Sequence, residues 1–570
     1  MKKLCIIIFL LCFFASPGRT AGYGGTLRRA VISDPKTFNI IMAQETSTTD
    51  AVGLLFEGLT RTNGVTTEAE PCLAESWQHS EDGCQWQFKL RKGVLWSDGR
   101  EFTADDVVFT FNDLIYNPDI PCSARDIFTV NGQPFKVEKL GPYLVKITTP
   151  TPYAPLLQQL GQSILPRHIL APSVSASTFP ETWGVNTPPK SLIGTGPFLM
   201  SEYLPGQRLV YQRNPRYWKK NKKGNQLPFI DRIVTFIVQN IDAQLLKFTG
   251  SELDLVSVPG KDYALIKEQA KKRDYTVYDC GPAFGTNFLC FQQSVIYLDK
   301  DKQAWFRDVS FHQAVSYALD RETMVDNVLA GLGAPQYAAM SPAAKYFYNP
   351  NVRKYPYDPA KARQLLVQAG FCDSNKDGIL EKPAGHPVEF TILTNAENNI
   401  RVDIATIIQS DLKAIGLNVS FRPIDFNNLV NKLNYSHDWD AVLLSFTGGI
   451  EPNSGKNVWA TGGHLHVWDT KPPSDNGPNN KDLSLWSASI PAWQHDIDRL
   501  FNLGVQELDP IKRRTIYWQW QEIASQFLPL IYTINPKAIY AVSNRLQNIR
   551  PTAYGGVLHN IEEIQIRIKD

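Results

Sequence analysis

The chain has 570 residues, of which 43% are hydrophobic and 20% are charged. This is an ordinary globular composition at a length that one hydrophobic core seldom serves, so we expect two or three lobes. The formal net charge of +2 gives no reason to invoke nucleic acid or an anionic membrane surface as a partner.

The N-terminal segment has the pattern of a secretory signal. "MKKLCIIIFLLCFFASPGRTAGYGG" opens with two lysines, continues with an apolar run from Leu4 to Ala15 and ends in small, turn-forming residues, which is the order of such signals. The run is shorter than the roughly 20 apolar residues of a membrane span. We therefore predict cleavage of residues 1–22 and export of a soluble chain to the periplasm. The alternative is a membrane-anchored lipoprotein lipidated at Cys12, although the bulky Leu11 before it fits a lipobox poorly.

Strands are predicted first along the mature chain. "GGTLRRAVI" indicates an opening strand, "CQWQFKLRKGVLW" a strand with alternating Trp86, Phe88 and Leu90, and "YLVKITTP" another. These patterns alternate along the chain with amphipathic helices and show no fixed repeat.

Helices are predicted more clearly in the second half. "RDVSFHQAVSYALDRETMVDNVLAG" places its apolar side chains on one face and predicts a single helix that stops at Gly331. "DPAKARQLLVQAGF" predicts a helix that is capped by Asp358 and ends at Gly370. A third helix is predicted from Ile400 to Gly416. The mixture favours α/β lobes.

The stretch "DSNKDGILE", residues 373–381, has oxygen-bearing residues at alternate positions before a glycine, as in half of an EF-hand loop. The twelfth position, where a bidentate glutamate is needed, is Ala384. The following "PVEFTIL" predicts a strand and not the exiting helix of an EF-hand. We interpret the stretch as a polar connection from helix to strand, with weak calcium binding as the alternative.

Six cysteines remain beyond the predicted signal, at positions 72, 84, 122, 280, 290 and 372. An even number in an oxidising compartment permits disulfides. Cys280 and Cys290 flank a turn with Gly and Pro that could bring them opposite each other, and free buried thiols are the alternative.

Signatures of enzymes are missing from the sequence. It contains no HExxH zinc motif, no GxSxG nucleophile elbow and no GxxxxGK[ST] phosphate loop. His464 and His466 would share one face of a strand and could bind a metal, but no third ligand accompanies them. Ordinary hydrogen bonding is the favoured interpretation of the two histidines. We expect no catalysis, no cofactor and no metal site.

One stretch, residues 71–112, predicts a strand, a turn at Asp98 and Gly99, and a helix capped by Thr103. This "PCLAESWQHSEDGCQWQFKLRKGVLWSDGREFTADDVVFTFN" closely resembles the extracellular solute-binding proteins of family 5, the oligopeptide-, dipeptide- and nickel-binding proteins of ABC transporters. Further blocks agree in the same order: "LLFEGLTR", "GTGPFLMSEYLPGQRLVYQRNPRYW", "GSELDLVSVP", "FRDVSFHQAVSYALDRE" and "YDPAKARQLLVQAGF". The resemblance covers essentially the whole mature chain.

The resemblance implies an α/β periplasmic-binding-protein fold of the Venus-flytrap type (class II), with two lobes and an extra inserted domain. Carried onto this sequence, the first lobe combines residues 23–55, 190–283 and 530–570, the inserted domain is 56–189, and the second lobe is 284–529. The lobes would be joined by two crossings, near 281–285 and near 527–531. Hinge closure would bury the ligand.

The function implied is that of the substrate-binding component of an ABC importer, which captures peptides between the lobes and delivers them to a membrane permease. We expect a monomer without nucleic-acid partners. The alternative is the same role for a nickel chelate, an oligosaccharide or an opine-like compound.

In this family the ammonium of a peptide pairs with an aspartate just after a strand that contains an aromatic residue. The matching stretch, "HDWDAVLLSFTGGIEPNSGKNVW", places the aromatic residue at Phe446 but Gly449 at the aspartate position. The nearest carboxylate is Glu451, which either replaces the aspartate or is a solvated loop residue.

Four other residues are candidate ligand contacts. Arg401 matches a region where a dipeptide binder holds the ligand carboxylate with an arginine, whose planar fork suits this role; a surface salt bridge is the alternative. Trp459 and Phe284 are expected to supply aromatic walls, and Asn287 a polar contact.

Overall fold

The computed structural model describes residues 22–382, 386–473 and 481–567. The predicted signal therefore lies outside the described residues except for Gly22, and so does Ala384. Within these ranges, every helix is too short or too polar to cross a bilayer.

The strands are, in chain order, β1 (Thr26–Val31), β2 (Thr60–Thr62), β3 (Ala69–Pro71), β4 (Ala74–His79), β5 (Gln85–Leu90), β6 (Thr129–Val130), β7 (Gln133–Pro134), β8 (Lys136–Gly141), β9 (Leu144–Thr148), β10 (Phe198–Leu204), β11 (Arg208–Arg213), β12 (Arg232–Ile237), β13 (Leu255–Ser257), β14 (Tyr275–Pro282), β15 (Thr286–Phe291), β16 (Gly333–Pro335), β17 (Glu389–Asn395), β18 (Asn418–Ile424), β19 (Ala441–Phe446), β20 (Ile531–Tyr532), β21 (Ile534–Ser543), β22 (Leu546–Gln547) and β23 (Gln565–Ile566).

The α-helices are α1 (Thr46–Val52), α2 (Ala104–Phe109), α3 (Ala124–Ile127), α4 (Leu156–Gln159), α5 (Arg167–Ser175), α6 (Ile241–Thr249), α7 (Tyr263–Ala270), α8 (Lys300–Phe306), α9 (Val309–Ala318), α10 (Arg321–Leu329), α11 (Pro359–Gln368), α12 (Asn399–Ala414), α13 (Phe426–Asn431), α14 (Lys456–Trp459), α15 (Lys481–Ser489), α16 (Ala492–Gln506) and α17 (Pro510–Phe527). Short 3-10 helices are Ile40–Met42, Phe179–Glu181, Pro189–Ser191, Gly260–Asp262, Pro342–Ala344, Pro452–Gly455 and Ile561–Glu563, and π-helical turns are Thr110–Ile115 and Lys432–Ser436.

Two sheets combine the beginning, the middle and the end of the chain. One has the order β1-β12-β11-β10, with β1 parallel to β12 and the other pairs antiparallel. The other has the order β13-β21-β14, and β16 also pairs with β21. These sheets use the segments that the resemblance assigns to the first lobe.

A five-stranded mixed sheet, β18-β17-β19-β15-β20, forms the centre of the later part of the chain. Consecutive side chains of a strand point to opposite faces of a sheet, and apolar side chains cover both faces of this one. In β15, Leu289 and Phe291 pack into one apolar cluster and Phe288 and Cys290 into another. The sheet is therefore the middle layer between two cores.

An antiparallel sheet, β4-β5-β9-β8, occupies the segment 56–189, which we call the inserted segment. Phe88 of β5 lies in the same apolar cluster as Leu27 of β1. The inserted segment therefore shares a continuous core with the first sheet, and its division into a separate domain stays a proposal.

Capping residues explain most helix starts. Thr103 accepts from the backbone N–H of Asp105 while the Asp106 side chain accepts from the backbone N–H of Thr103, which makes a capping box before α2. Asp358 caps α11, as the sequence predicts. The single helix predicted up to Gly331 is wrong: it is divided into α9 and α10 because the chain is extended at Leu319 and Asp320 caps a new helix.

The chain passes twice between the two sets of sheets. The first passage follows β14, where Gly281 has φ +84°, a left-handed value that favours glycine. The second lies at Thr533, because β20 still pairs with β15 whereas β21 starts at Ile534 in the other sheet. This second passage comes slightly later than the range 527–531 expected from the sequence.

The six cysteines beyond the predicted signal are free. Cys280 lies in β14 and Cys290 in β15, two strands of different sheets. The chain passes from one lobe to the other between them, so the turn does not align them as a pair. The suggested disulfide is therefore wrong, and free thiols are the arrangement in the structure.

The 373–381 loop joins α11 to β17, as predicted. The carboxylates of Asp373, Asp377 and Glu381 have oxygens within 4.8 Å of one another. Glu381 is buried and already accepts hydrogen bonds from the backbone and the hydroxyl of Ser374, at 2.8 and 2.9 Å. The loop is thus held by its own polar groups.

Candidate ligand-binding site

A cavity of about 210 Å³ lies where β19 ends. Its walls come from segments far apart in the chain, and the five-stranded sheet and α17 bring several of them together. The lining residues are Thr286, Ala339, Met340, Ser341, Phe446, Thr447, Gly448, Gly449, Glu451, Pro452, Ser454, Gly455, Asn457, Val458, Trp459, Leu465, Trp520 and Tyr532. The lining includes four aromatic rings and four Ser or Thr hydroxyl groups, types of side chain that are common in sites for small ligands.

Four of the residues predicted from the sequence line this cavity together, namely Phe446, Gly449, Glu451 and Trp459. Phe446 is the last residue of β19, and its backbone lies opposite Thr286 of β15. The sheet register thus brings the end of β19 next to the first interlobe passage.

Aromatic side chains form one wall of the cavity. The rings of Trp459 and Trp520 are 5.1 Å apart at nearly right angles, and Phe446 contacts Phe288 at 5.0 Å. Trp459 is buried, so it belongs to the core as much as to the cavity. Such rings offer large apolar contacts to a ligand without much loss of conformational entropy.

The role expected for Glu451 as an ammonium-binding carboxylate needs correction. Its two oxygens accept hydrogen bonds from the two terminal nitrogens of Arg513 in α17, at 2.9 and 2.5 Å. Glu451 also accepts from the backbone N–H of Asn453 at 3.0 Å. Both charged side chains are less than a tenth exposed. The carboxylate is therefore neither solvated nor free to hold a second cation.

The charge of Arg513 is maintained by this pair. Burial lowers the pKa of Arg513, but the Glu451 carboxylate and Tyr517 outweigh that effect, and the net shift is upward. The pair therefore consists of one negative and one positive side chain and has no net charge.

The two consecutive glycines of this loop have different physical roles. Gly448 has φ +67°, and a Cβ there would lie 2.0 Å from the carbonyl oxygen of Phe284. Only glycine allows the loop to approach the first interlobe passage this closely. Gly449 lacks a positive φ, and a Cβ there would meet no atom within 4 Å.

Phe284 and Asn287 lie beside the cavity and not in its wall. The Phe284 ring contacts Tyr554 at 5.4 Å. The amide of Asn287 donates to the carbonyl of Ile534 at 3.4 Å, and its backbone carbonyl accepts from Thr533 at 3.0 Å. In this structure Asn287 stabilises the second passage, so the ligand contact expected for it is not formed by the cavity wall.

Arg401 lies near the start of α12, away from the lining of the cavity. It donates one hydrogen bond to Oδ1 of Asn395 at 2.7 Å, and its buried Nε has no partner. Burial lowers the pKa of Arg401 to about 10. Among the described residues no carboxylate pairs with it, so the alternative of a surface salt bridge is wrong.

The start of α12 faces the first lobe. Asn399 donates to the carboxylate of Asp242 in α6 at 2.8 Å. Arg401, two residues further, is therefore an unpaired cation close to the boundary between the lobes.

The inserted segment contacts the loop that lines the cavity. Nδ2 of Asn453 donates to the Tyr153 hydroxyl at 2.7 Å, and Nε2 of Gln159 donates to the Ser454 hydroxyl at 3.0 Å. Next to them, Lys456 donates to the carbonyl of Thr129 at 2.5 Å. We call these three the cross-cleft bonds. They hold the second lobe against the inserted segment.

The two histidines considered for a metal have separate protein partners. His464 has its Nδ1 and its backbone N–H both 2.9 Å from one carboxylate oxygen of Asp126. Nδ1 of His466 donates to the carbonyl of Val458 at 3.0 Å, and burial lowers the pKa of His466 to about 4. Both make the ordinary hydrogen bonds favoured from the sequence.

Sequence reasoning missed part of the cavity wall. Ser341, Trp520 and Tyr532 line it from segments that carry no local motif. Thr286 could have been found, because it stands beside the candidate Asn287 at the start of a predicted passage.

Comparisons with known proteins find similar sequences. A family model described as bacterial extracellular solute-binding proteins, family 5 Middle, matches residues 68–464. A probable ABC transporter-binding protein of Deinococcus radiodurans is 30% identical over 547 residues, which are 92% of this chain and 89% of that protein.

Solved structures share the overall fold. The oligopeptide-binding protein AppA from Bacillus subtilis, in complex with a nonapeptide, has a TM-score of 0.79 at 26% identity, over 96% of this chain and 100% of that one. The periplasmic binding protein MelB from Agrobacterium fabrum, in complex with stachyose, has a TM-score of 0.83 at 22% identity, over 96% of this chain and 85% of that one. The second likeness shows the fold alone.

Proposed function

The chain belongs to the bacterial extracellular solute-binding proteins of family 5, and from this premise we propose that it captures peptides between two lobes for an ABC importer. The membrane permease of that importer is the proposed partner, and the protein acts as an exported, periplasmic monomer without catalytic activity. Cleavage of the signal at residues 1–22 is part of the same proposal.

The observation that carries the proposal is the cavity at the end of β19. It lies next to both interlobe passages and is lined by Phe446 and Trp459. The cross-cleft bonds join the loop that lines it to the inserted segment, a contact expected of a closed binding protein. The complex of the related AppA with a nonapeptide supports a peptide as the ligand class.

We further propose the division of the chain that closure requires. The first lobe combines 23–55, 190–283 and 530–570, the inserted domain is 56–189, and the second lobe is 284–529. β20 belongs with the second lobe because it pairs with β15, which moves that boundary to Thr533. Movement of the lobes would then concentrate at two short passages.

Arg401 is proposed to hold the carboxylate of the ligand. It is a half-buried guanidinium that has no anionic partner among the described residues, and the neighbouring Asn399 already contacts Asp242 of α6. A carboxylate would supply the missing countercharge and two parallel hydrogen bonds. Phe284 and Asn287 are proposed to affect ligand binding indirectly. Phe284 packs against the loop after β19 at Gly448, and Asn287 stabilises the second interlobe passage.

The second candidate function is delivery of an uncharged solute such as an oligosaccharide. Gly449, which leaves the family's aspartate position without a side chain, favours it. An arrangement of hydroxyl groups and tryptophans around the cavity is compatible with such a ligand.

A titration of intrinsic fluorescence tests the proposed function, because the protein has 13 tryptophans and two of them line the cavity. We expect at least one member of a mixed peptide library to bind with Kd below about 100 μM, equivalent to roughly −5.5 kcal/mol. If no peptide reaches this affinity while another solute does, the peptide function is wrong.

A further inference from the structure

The charge balance of the cavity limits what can occupy it. Among the described residues that line it, Glu451 is the one with a charged side chain. Its carboxylate is fully engaged by Arg513, which is itself buried. The described part of the wall therefore offers hydroxyl, amide and aromatic groups but no free anion.

The chain beside the cavity adds a positive charge. Lys456 follows the cavity-lining Gly455, and its ammonium points to the carbonyl of Thr129 in the inserted segment. Burial lowers the pKa of Lys456. Asp126 and Asp498 partly offset this charge, and among the described residues of the wall no unpaired carboxylate is left for a second ammonium.

The glycine at position 449 is not required by the backbone. Its neighbour Gly448 needs both a positive φ and the absence of a Cβ, whereas Gly449 needs neither. An aspartate would fit at 449, so the lack of a carboxylate there is a property of the binding site and not of the loop conformation.

From these three observations we propose that the ligand group held in this cavity carries no positive charge, so that the peptides bound have an acylated N-terminus. This inference rests on the proposed function, because it assumes that the ligand is a peptide. Its physical basis is desolvation: an ammonium without a countercharge loses its hydration on closure and gains nothing in return. An N-acyl group, in contrast, replaces that charge with a carbonyl that can accept a hydrogen bond from the hydroxyl of Thr286, Thr447 or Ser454 or from the Asn457 amide of the wall.

The test is calorimetric titration of the whole mature protein with three probes: tetraalanine, N-acetyl-tetraalanine and a neutral tetrasaccharide. We expect N-acetyl-tetraalanine to bind at least tenfold more tightly than tetraalanine. Equal affinity, or tighter binding of the free amine, would overturn the inference and leave the peptide function standing. Binding of the tetrasaccharide without either peptide would overturn the peptide function and the acylated N-terminus with it. It would support only the statement that the group held in the cavity carries no positive charge. Failure of all three probes to bind counts against both.

A gain of function makes the test independent of wild-type affinity. Gly449→Asp places a carboxylate in the open space of the cavity, and we expect it to improve binding of tetraalanine at least tenfold and to abolish the preference for the acetylated form. Gly449→Asn is the matched control, with the same shape and no charge, and it should keep the wild-type preference. If both variants behave alike, charge at this position does not select the ligand and the proposal fails.

Discussion

Glu451 and Arg513 face each other as a closed ion pair, with both carboxylate oxygens on both terminal guanidinium nitrogens. The pair joins the loop after β19 to α17, and so it fixes the shape of the cavity wall. Glu451 is therefore a structural residue of the site and not the replacement for a ligand-binding aspartate.

Glu451→Gln should destabilise the protein, because it leaves the buried guanidinium of Arg513 without a countercharge. Breaking such a pair typically costs about 3 to 5 kcal/mol of unfolding free energy, which urea denaturation measures. Asp496→Asn is the control, since it removes an exposed pair with Arg499 and should cost less than about 1 kcal/mol. Equal effects of the two substitutions would contradict the structural role.

Gly448→Ala and Gly449→Ala should differ sharply. The first forces a left-handed residue and a methyl group against the carbonyl of Phe284, for which we expect a loss of about 1 to 3 kcal/mol. The second places a methyl group in open space and should leave the melting temperature within a few degrees. Thermal unfolding of the two variants side by side checks this, and similar losses would show that the loop is held differently.

Arg401→Gln should separate stability from binding. Removal of a half-buried cation that has no ion-pair partner among the described residues is expected to leave the unfolding free energy unchanged or to raise it. The same change should weaken binding of a peptide with a free C-terminal carboxylate by roughly 10- to 100-fold, the value of a charged hydrogen bond of about 1.5 to 3 kcal/mol. Titration with the acid and the C-terminal amide of one peptide measures this. An equal loss for both forms would remove the assigned role.

Asp469 should contribute a loss of stability as the pH rises from about 4 to about 7. Burial raises its pKa from 3.8 to about 7, against the weaker opposing effect of Arg307. The folded state therefore keeps the proton over this range while the unfolded state releases it, so unfolding becomes easier as the pH rises. Asp469→Asn should flatten this fall and be more stable than the wild type at pH 8. Parallel pH profiles of unfolding free energy for the two proteins would contradict it.

Thiol titration tests the cysteine arrangement. The mature chain, unfolded without reductant, should yield six reactive thiols, because all six described cysteines are free. In the native state the exposed Cys372 should react first, whereas burial raises the pKa of Cys122 and Cys290 and shields them. Fewer than six thiols on unfolding would reveal a disulfide.

Local signals predicted helix ends well and helix continuity less well. The Asp358 cap and the glycine stop at Gly370 are short-range patterns, and α11 forms as they predict. The division between α9 and α10 was missed because its apolar periodicity continues across the break. There, Asp320 competes as a cap, and the Asp320 backbone N–H donates to Asp411 of α12, 91 residues away. Tertiary contacts decided that boundary.

The candidate site shows the same limit. The resemblance located the loop after β19 and with it Phe446, Gly449 and Trp459, all of which line the cavity. Nothing local identifies Arg513 as the partner of Glu451, because 62 residues separate them. The sequence therefore predicted which positions lie at the cavity, but it could not predict that the carboxylate of Glu451 is paired with Arg513.

The cross-cleft bonds between Tyr153 and Asn453 and between Gln159 and Ser454 involve no ligand atom. In the proposed mechanism they form at every closure, whatever solute is enclosed, and they must break before release. They add the same increment to the affinity of every ligand that permits closure, so they cannot change the ratio between two ligands. What they lengthen is the residence time of the bound complex, which is the interval available for an encounter with the permease. In the proposed mechanism the cavity therefore selects the ligand, while the bonds from the inserted segment set how long the ligand stays bound.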